Sequence, residues 1–146
     1  MRVEQHHLIE EALTYSVIGA FYEVYNAFRY GLLERLYMNA LELELRARGH
    51  RVTRELRVDV MYKGKLVGRQ KLDMVVDDKV VIEGKSTFDV DKSALRQLYS
   101  YLRATNLEVG LLLHFGPEAK FYRLVSSNIK DPTLTTGVSA RSAESA

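Results

Sequence analysis

The chain has 146 residues, 47% of them apolar and 27% charged, with a net charge of +2. That composition supports a folded core and an ordinary charged surface, and the charge is too small to announce a nucleic-acid binder. It contains no cysteine, which excludes disulfide scaffolds, thiolate zinc sites, iron–sulfur clusters and thiol catalysis. No apolar run reaches the roughly 18 residues expected of a spanning helix. Glu4, Glu10 and Glu11 break the basic-then-apolar order of a signal peptide, so a soluble, cytoplasmic protein is expected.

Leu8 to about Phe28 shows helical spacing of Ile9, Leu13, Val17, Ala20, Phe21 and Val24, and Arg29-Tyr30-Gly31 interrupts it. A second helix is predicted from Leu32 to about Arg48, with Leu33, Leu36, Ala40, Leu41 and Leu45 as core candidates and Gly49 as a left-handed cap. Leu56, Val58 and Val60 alternate with Arg57 and Asp59 as a strand, and Tyr62-Lys-Gly-Lys65 reads as a hairpin turn. The next arm runs from Leu66 to about Val76, with a turn at Asp77-Asp78. Lys79 to Ser86 is short and β-branched, and its central Val-Val-Ile implies burial on both faces. Asp91 is placed to cap a helix from Lys92 to about Thr105 that buries Leu95, Leu98 and Leu102. Val109 to Phe115 is an inner strand, Pro117 breaks it, and Ala119 to Val125 is the last strand. The expectation is one α/β domain over residues 1–125, ordered αα-βββ-α-ββ around a mixed sheet, and a flexible tail over 126–146.

The small net charge hides segregation. Residues 46–71 hold 9 basic and 2 acidic side chains, whereas residues 72–91 hold 2 basic and 6 acidic ones. A basic track beside an acidic site would suit a polyanion next to a cation, and a solvated hairpin followed by acidic turns would look the same.

The chemically informative stretch joins these blocks. Asp73 lies on one hairpin arm, and Glu83 and Lys85 lie on the next. Residues two apart in a strand share a face, so Glu83 and Lys85 are neighbours, and the Asp77-Asp78 turn brings Asp73 within reach of both. Two carboxylates suit a hard divalent cation such as Mg2+ or Mn2+. A lysine beside them can stabilise charge developing on a phosphoryl group. The same three side chains could instead form a partly buried ion cluster with no reaction attached.

Asp73…Glu83-x-Lys85 resembles the motif of the PD-(D/E)xK nuclease superfamily. More narrowly, Gly31-Leu-Leu-Glu34-Arg-Leu-Tyr37 is similar to the signature of the GxxExxY family, which is assigned to that fold. Ile18-Gly19-Ala20, Glu23-Val24, the Tyr62 hairpin, Gln97-Leu-Tyr-Ser-Tyr101-Leu-Arg and Gly110-Leu-Leu-Leu-His-Phe115-Gly116 extend the likeness from about Leu8 to Val125. The resemblance implies a restriction-endonuclease-like mixed sheet flanked by helices. It implies a Mg2+- or Mn2+-dependent nuclease acting on DNA or RNA, with a catalytically weak or inactive nucleic-acid-binding or protein-interaction domain as the alternative. It makes Asp73, Glu83 and the carbonyl of Gly84 the metal ligands and Lys85 the catalytic lysine. Glu34 matches an acid that often approaches the metal through water, and Gln97 a helix glutamine that often lies beside the site. Pairing into a homodimer is common among small nucleases of this fold. The chain departs from the family pattern at Tyr25, Tyr30, Gly84 and His114, where histidine, proline, a bulky apolar residue and asparagine are usual. Periodicity independently puts Glu34 on a helical face with Tyr37, Met38 and Leu41. His6, His7, His50 and His114 show no ligand spacing, and the tyrosines are read as mostly core and rim.

Overall fold

The structure, a computed structural model, describes residues 10–126. The expected helix start at Leu8 and Ile9, His6 and His7, and residues 127–146 of the expected tail lie outside the described residues. The elements are α1 (Glu11–Phe28), α2 (Glu34–Ala47), β1 (Val52–Tyr62), β2 (Lys65–Val76), β3 (Val80–Lys85), α3 (Lys92–Ala104), β4 (Val109–Phe115) and β5 (Ala119–Val125). This is the anticipated order of a restriction-endonuclease-like α/β fold. The strands form one sheet in sequence order, antiparallel throughout except for the parallel pair β3–β4. A parallel neighbour requires a crossover, and α3 supplies it.

Two apolar layers sandwich the sheet. Val17, Ala20 and Phe21 of α1 and Tyr37, Leu41 and Leu45 of α2 pack on Met74, Val80, Ile82 and Leu111. Leu98, Tyr101 and Leu102 of α3 pack on Val75, Val81 and Leu112 on the opposite face. The Val-Val-Ile run of β3 is therefore buried on both sides, as its lack of alternation requires.

The buried stripe of α2 differs from the one expected. Leu33 is its exposed N-cap and Leu36 points to solvent, while Tyr37 and Met38 enter the core with Leu41 and Leu45. The helix begins two residues later than expected, and the face that meets the sheet is the one carrying Glu34. Tyr37 stacks on Phe115, with ring centroids 4.2 Å apart. Its hydroxyl donates to the Arg29 carbonyl and accepts the Leu32 N–H at 3.1 Å, pinning the α1–α2 loop. The expected Gly49 cap is present at φ 91, with Gly49 N–H bonded to Arg46 and His50 N–H to Leu45. Ser126, assigned to the tail, is instead buried and donates its N–H to Glu108 at 2.8 Å, extending the β5 end into the body.

The β2–β3 register is set by a tight turn in which Asp77 and Asp78 both adopt positive φ, 53 and 57. Asp77 accepts the Arg51 N–H at 2.7 Å through Oδ1 and the His50 Nδ1–H at 2.8 Å through Oδ2. That leaves His50 Nε2 to accept from the Ser16 hydroxyl at 2.7 Å. The order Ser–His–Asp imitates a hydrolytic relay. Ser16, however, sits inside α1, where helical bonding consumes the backbone N–H groups an oxyanion would need. The three residues act as a clasp between α1, the α2–β1 link and the hairpin turn.

Burial raises the proton affinity of Asp77, but the Arg51 N–H and His50 outweigh it and hold the carboxyl below its ordinary range. A depressed acid contributes stability that is present above its unfolded pKa, about 3.9, and lost as pH falls through the lower folded value. Asp77→Ala should cost about 1–2 kcal/mol at pH 7. In urea melts the gap to wild type should narrow below about pH 4; a gap that does not change with pH would contradict the clasp.

Candidate active site

The strands that carry the acidic residues separate at the site. β2 and β3 pair at Val76–Val80, Val75–Val81 and Met74–Ile82, and no further, although β2 extends back to Lys65 and β3 on to Lys85. Asp73 and Glu83 are the next residue on each arm of this fork. The site lies where β2 parts from the central strand β3, at the C-terminal end of that strand. Beyond the fork β2 pairs with β1 alone, and its Leu72 joins Leu56 and Val58 in the α3-side core.

Glu83 is 6% exposed and its Oε2 has no hydrogen-bond partner. Burial first, and then the neighbouring Asp73 charge, push its carboxyl up to about 8, against the Asp73 N–H and Lys85. Burial likewise raises Asp73, opposed by a hydrogen bond with Glu83 and by Lys85, Arg54 and Lys71. A buried carboxylate beside a half-buried one is costly to charge together with it unless a cation is near. An orphaned carboxyl oxygen, a second carboxyl group and the main chain of Gly84 form a donor set suited to a hard divalent ion, which needs only one or two carboxylates and keeps several waters. Among the described residues no group of three or more His, Asp or Glu side chains is gathered as a ready-made ion cage.

Of the remaining residues singled out in the sequence, Lys85 and Glu34 reach this fork, and Gln97 shares a cavity with Lys85. Lys85 shares a face of β3 with Glu83. Glu34 approaches from the first turn of α2; burial raises its carboxyl, Asp73 adds to the rise and Lys85 opposes it. Gln97 comes from α3 and lines a cavity of about 320 Å³ with Lys85, Thr87, Asp89 and Asp91. A larger cavity of about 550 Å³, between Tyr22, Arg29 and Pro117, contains none of these groups. Tyr101, read from the sequence as core or rim, also reaches the site. Burial and then the charges of Glu83 and Asp73 raise its hydroxyl pKa. The signal was its position one helical turn beyond Gln97, on the same face.

Gly84 has a packing reason. A Cβ there would lie 2.5 Å from the Met38 sulfur, so any larger residue would force the buried Met38 side chain to shift from its place between α2 and β3. His114 is buried and structural: it donates Nε2–H to the Thr87 carbonyl at 2.7 Å, fixing the loop after Lys85.

The basic block divides. Arg46 and Arg48 are paired with Glu42 and Glu44, and Arg51 with Asp78, at the end of the sheet away from the fork. Arg54 and Lys71 lie close enough to act on Asp73, and exposed Arg57 faces Lys71 across the β1–β2 ladder.

The PD-(D/E)XK nuclease superfamily matches residues 11–124, and the chain belongs to it. Comparison with curated proteins and with solved structures gives no match. No described helix is long and apolar enough to cross a membrane.

Gly84→Ala should destabilise the protein by about 1–3 kcal/mol, the usual cost of overpacking. In a Met38→Ala background the same change should cost clearly less, because the obstructing sulfur is gone. Equal costs in both backgrounds, read from denaturant midpoints, would show that Met38 is not the constraint.

Proposed function

We propose that the protein is a divalent-metal-dependent nuclease that hydrolyses phosphodiester bonds, and that its GxxExxY-like segment places it in that branch of the superfamily. The observation that carries this reading is the orphaned Glu83 Oε2 at the fork, beside Asp73 and on the Lys85 face of β3. Asp73, Glu83 and the Gly84 carbonyl would hold Mg2+ or Mn2+. When bound, such an ion neutralises phosphoryl charge and makes its water more acidic.

The chain's own groups supply the rest. Lys85 is the one amine on the Glu83 face of β3. It is set to donate to a phosphoryl oxygen and to favour the more highly charged transition state over the ground state. Glu34, half-buried and with a raised affinity for protons, accepts a hydrogen bond from water entering between α2 and the fork. The Gln97 amide orients the substrate from the α3 side of the cavity. The Tyr101 hydroxyl lies close enough to feel the charges of Glu83 and Asp73 and walls the site on the α3 side. Arg57 and Lys71 supply phosphate contacts on the hairpin side, adding affinity without sequence preference.

Lys85→Ala should lower cleavage by about 100-fold or more while leaving substrate affinity similar. Its melting temperature in Mg2+ should stay near that of wild type. The measurement is cleavage of single- and double-stranded DNA and RNA with Mg2+, with Mn2+ and with EDTA, beside calorimetric metal titration of wild type and Asp73→Asn. A folded wild type that binds neither ion and cuts no substrate would leave the non-catalytic reading. Arg57→Ala with Lys71→Ala should also weaken binding and lower the salt slope by about 2; an unchanged slope would remove the hairpin from the interface.

A further inference from the structure

The rim of the cleft carries two large apolar side chains that the core does not use. Phe88 is 68% exposed and Leu33 is 63% exposed. They stand on different loops, and the loops are tied together by the Ser86 hydroxyl, which donates to the Leu32 carbonyl at 2.7 Å. Each adjoins groups of the site. Leu33 precedes Glu34, and Phe88 lies between Thr87 and Asp89, which line the cavity with Lys85. A single exposed apolar residue is ordinary, but the loop bearing Phe88 is held at several points. His114 holds the Thr87 carbonyl, the Thr87 hydroxyl donates to the Asp89 carbonyl at 2.6 Å, and the Asp91 carboxylate caps α3 by accepting the Ser93 N–H. The backbone is thus ordered before any ligand arrives, so a contact made by Phe88 carries little further entropic cost.

The charge on this side of the cleft narrows what the contact can be. Asp89 and Asp91 line the cavity with Lys85, and no basic residue of the β1–β2 hairpin does. They repel phosphate, and a duplex presents phosphates on both of its strands, about one charge per 1.7 Å of axis. A single strand can lay its backbone along Arg57 and Lys71 and turn its bases toward the acidic, apolar rim. An aromatic ring there offers what any unpaired base accepts, a face to stack on.

We propose that Phe88 stacks on a nucleobase beside the scissile phosphate, so that the protein takes single-stranded or locally unpaired nucleic acid. The inference rests on the nuclease reading and specifies its substrate. The chain contains no tryptophan, so Phe88→Trp introduces a lone fluorophore at the rim. In a Lys85→Ala background, an oligothymidylate of about ten nucleotides should quench its emission, and a blunt duplex of the same length should not. In the otherwise native chain, Phe88→Ala should weaken single-strand affinity about tenfold. It should raise KM by a similar factor with kcat held within about twofold, and Phe88→Tyr should restore affinity. If wild type binds and cuts single strands but Phe88→Ala does so equally well, or if blunt duplex quenches the tryptophan as strongly, the stacking role is overturned and the nuclease reading stands. If wild type neither binds nor cuts any nucleic acid, the nuclease reading itself fails.

Discussion

A buried carboxyl group held beside a half-buried one imposes the condition that organises this protein. Glu83 lies on a strand whose preceding residues are Val, Val and Ile, buried on both faces. Ionising it there is costly, and Asp73 across the fork makes it costlier. A protonated pair, a lysine or a metal ion can relieve the strain. Lys85 alone does not, since the Glu83 carboxyl remains pushed up to about 8 with the lysine present. A cation between the carboxylates resolves both the charge and the orphaned oxygen.

The rest of the domain keeps that fork open and in register. At one end, the Asp77-Asp78 turn sets which residues of β2 and β3 oppose each other, and Ser16 and His50 clasp it to the helices. Near the other, Met38 rests against Gly84, so α2 reaches β3 closely enough to bring Glu34 to the acids. Tyr37 secures the start of the same helix by hydrogen-bonding the loop before it. Tyr37 is thus a structural support for the glutamate three residues earlier. From the opposite face, α3 contributes Gln97 and Tyr101 at one-turn spacing.

Charge is arranged on the same plan. Basic residues next in sequence serve opposite ends of the molecule. Arg46, Arg48 and Arg51 neutralise nearby acids around the clasp; Arg54, also paired with Glu42, acts on Asp73 together with Lys71, and Arg57 faces Lys71 across the ladder. The acidic loop after Lys85 lines a cavity with Gln97 of α3. A linear tally of charge cannot make this division, because a hairpin returns distant residues to one place and sends adjacent ones apart.

The sequence by itself determined the elements and their order, since hydrophobic period, turn residues and caps are local properties. The strands β4 and β5, the two tight turns, the Gly49 cap and the Asp91 cap all follow from neighbours a few residues away. It also paired Glu83 with Lys85, because strand alternation is local too. Only the tertiary structure decided which stripe of α2 is buried, where Tyr37 and Met38 displace Leu33 and Leu36, because that depends on where the helix meets the sheet. Only it explained the glycine at position 84, through a sulfur 46 residues away in the chain. And only it revealed that β2 leaves β3 just at Asp73, since the parting of two strands is a property of neither strand alone.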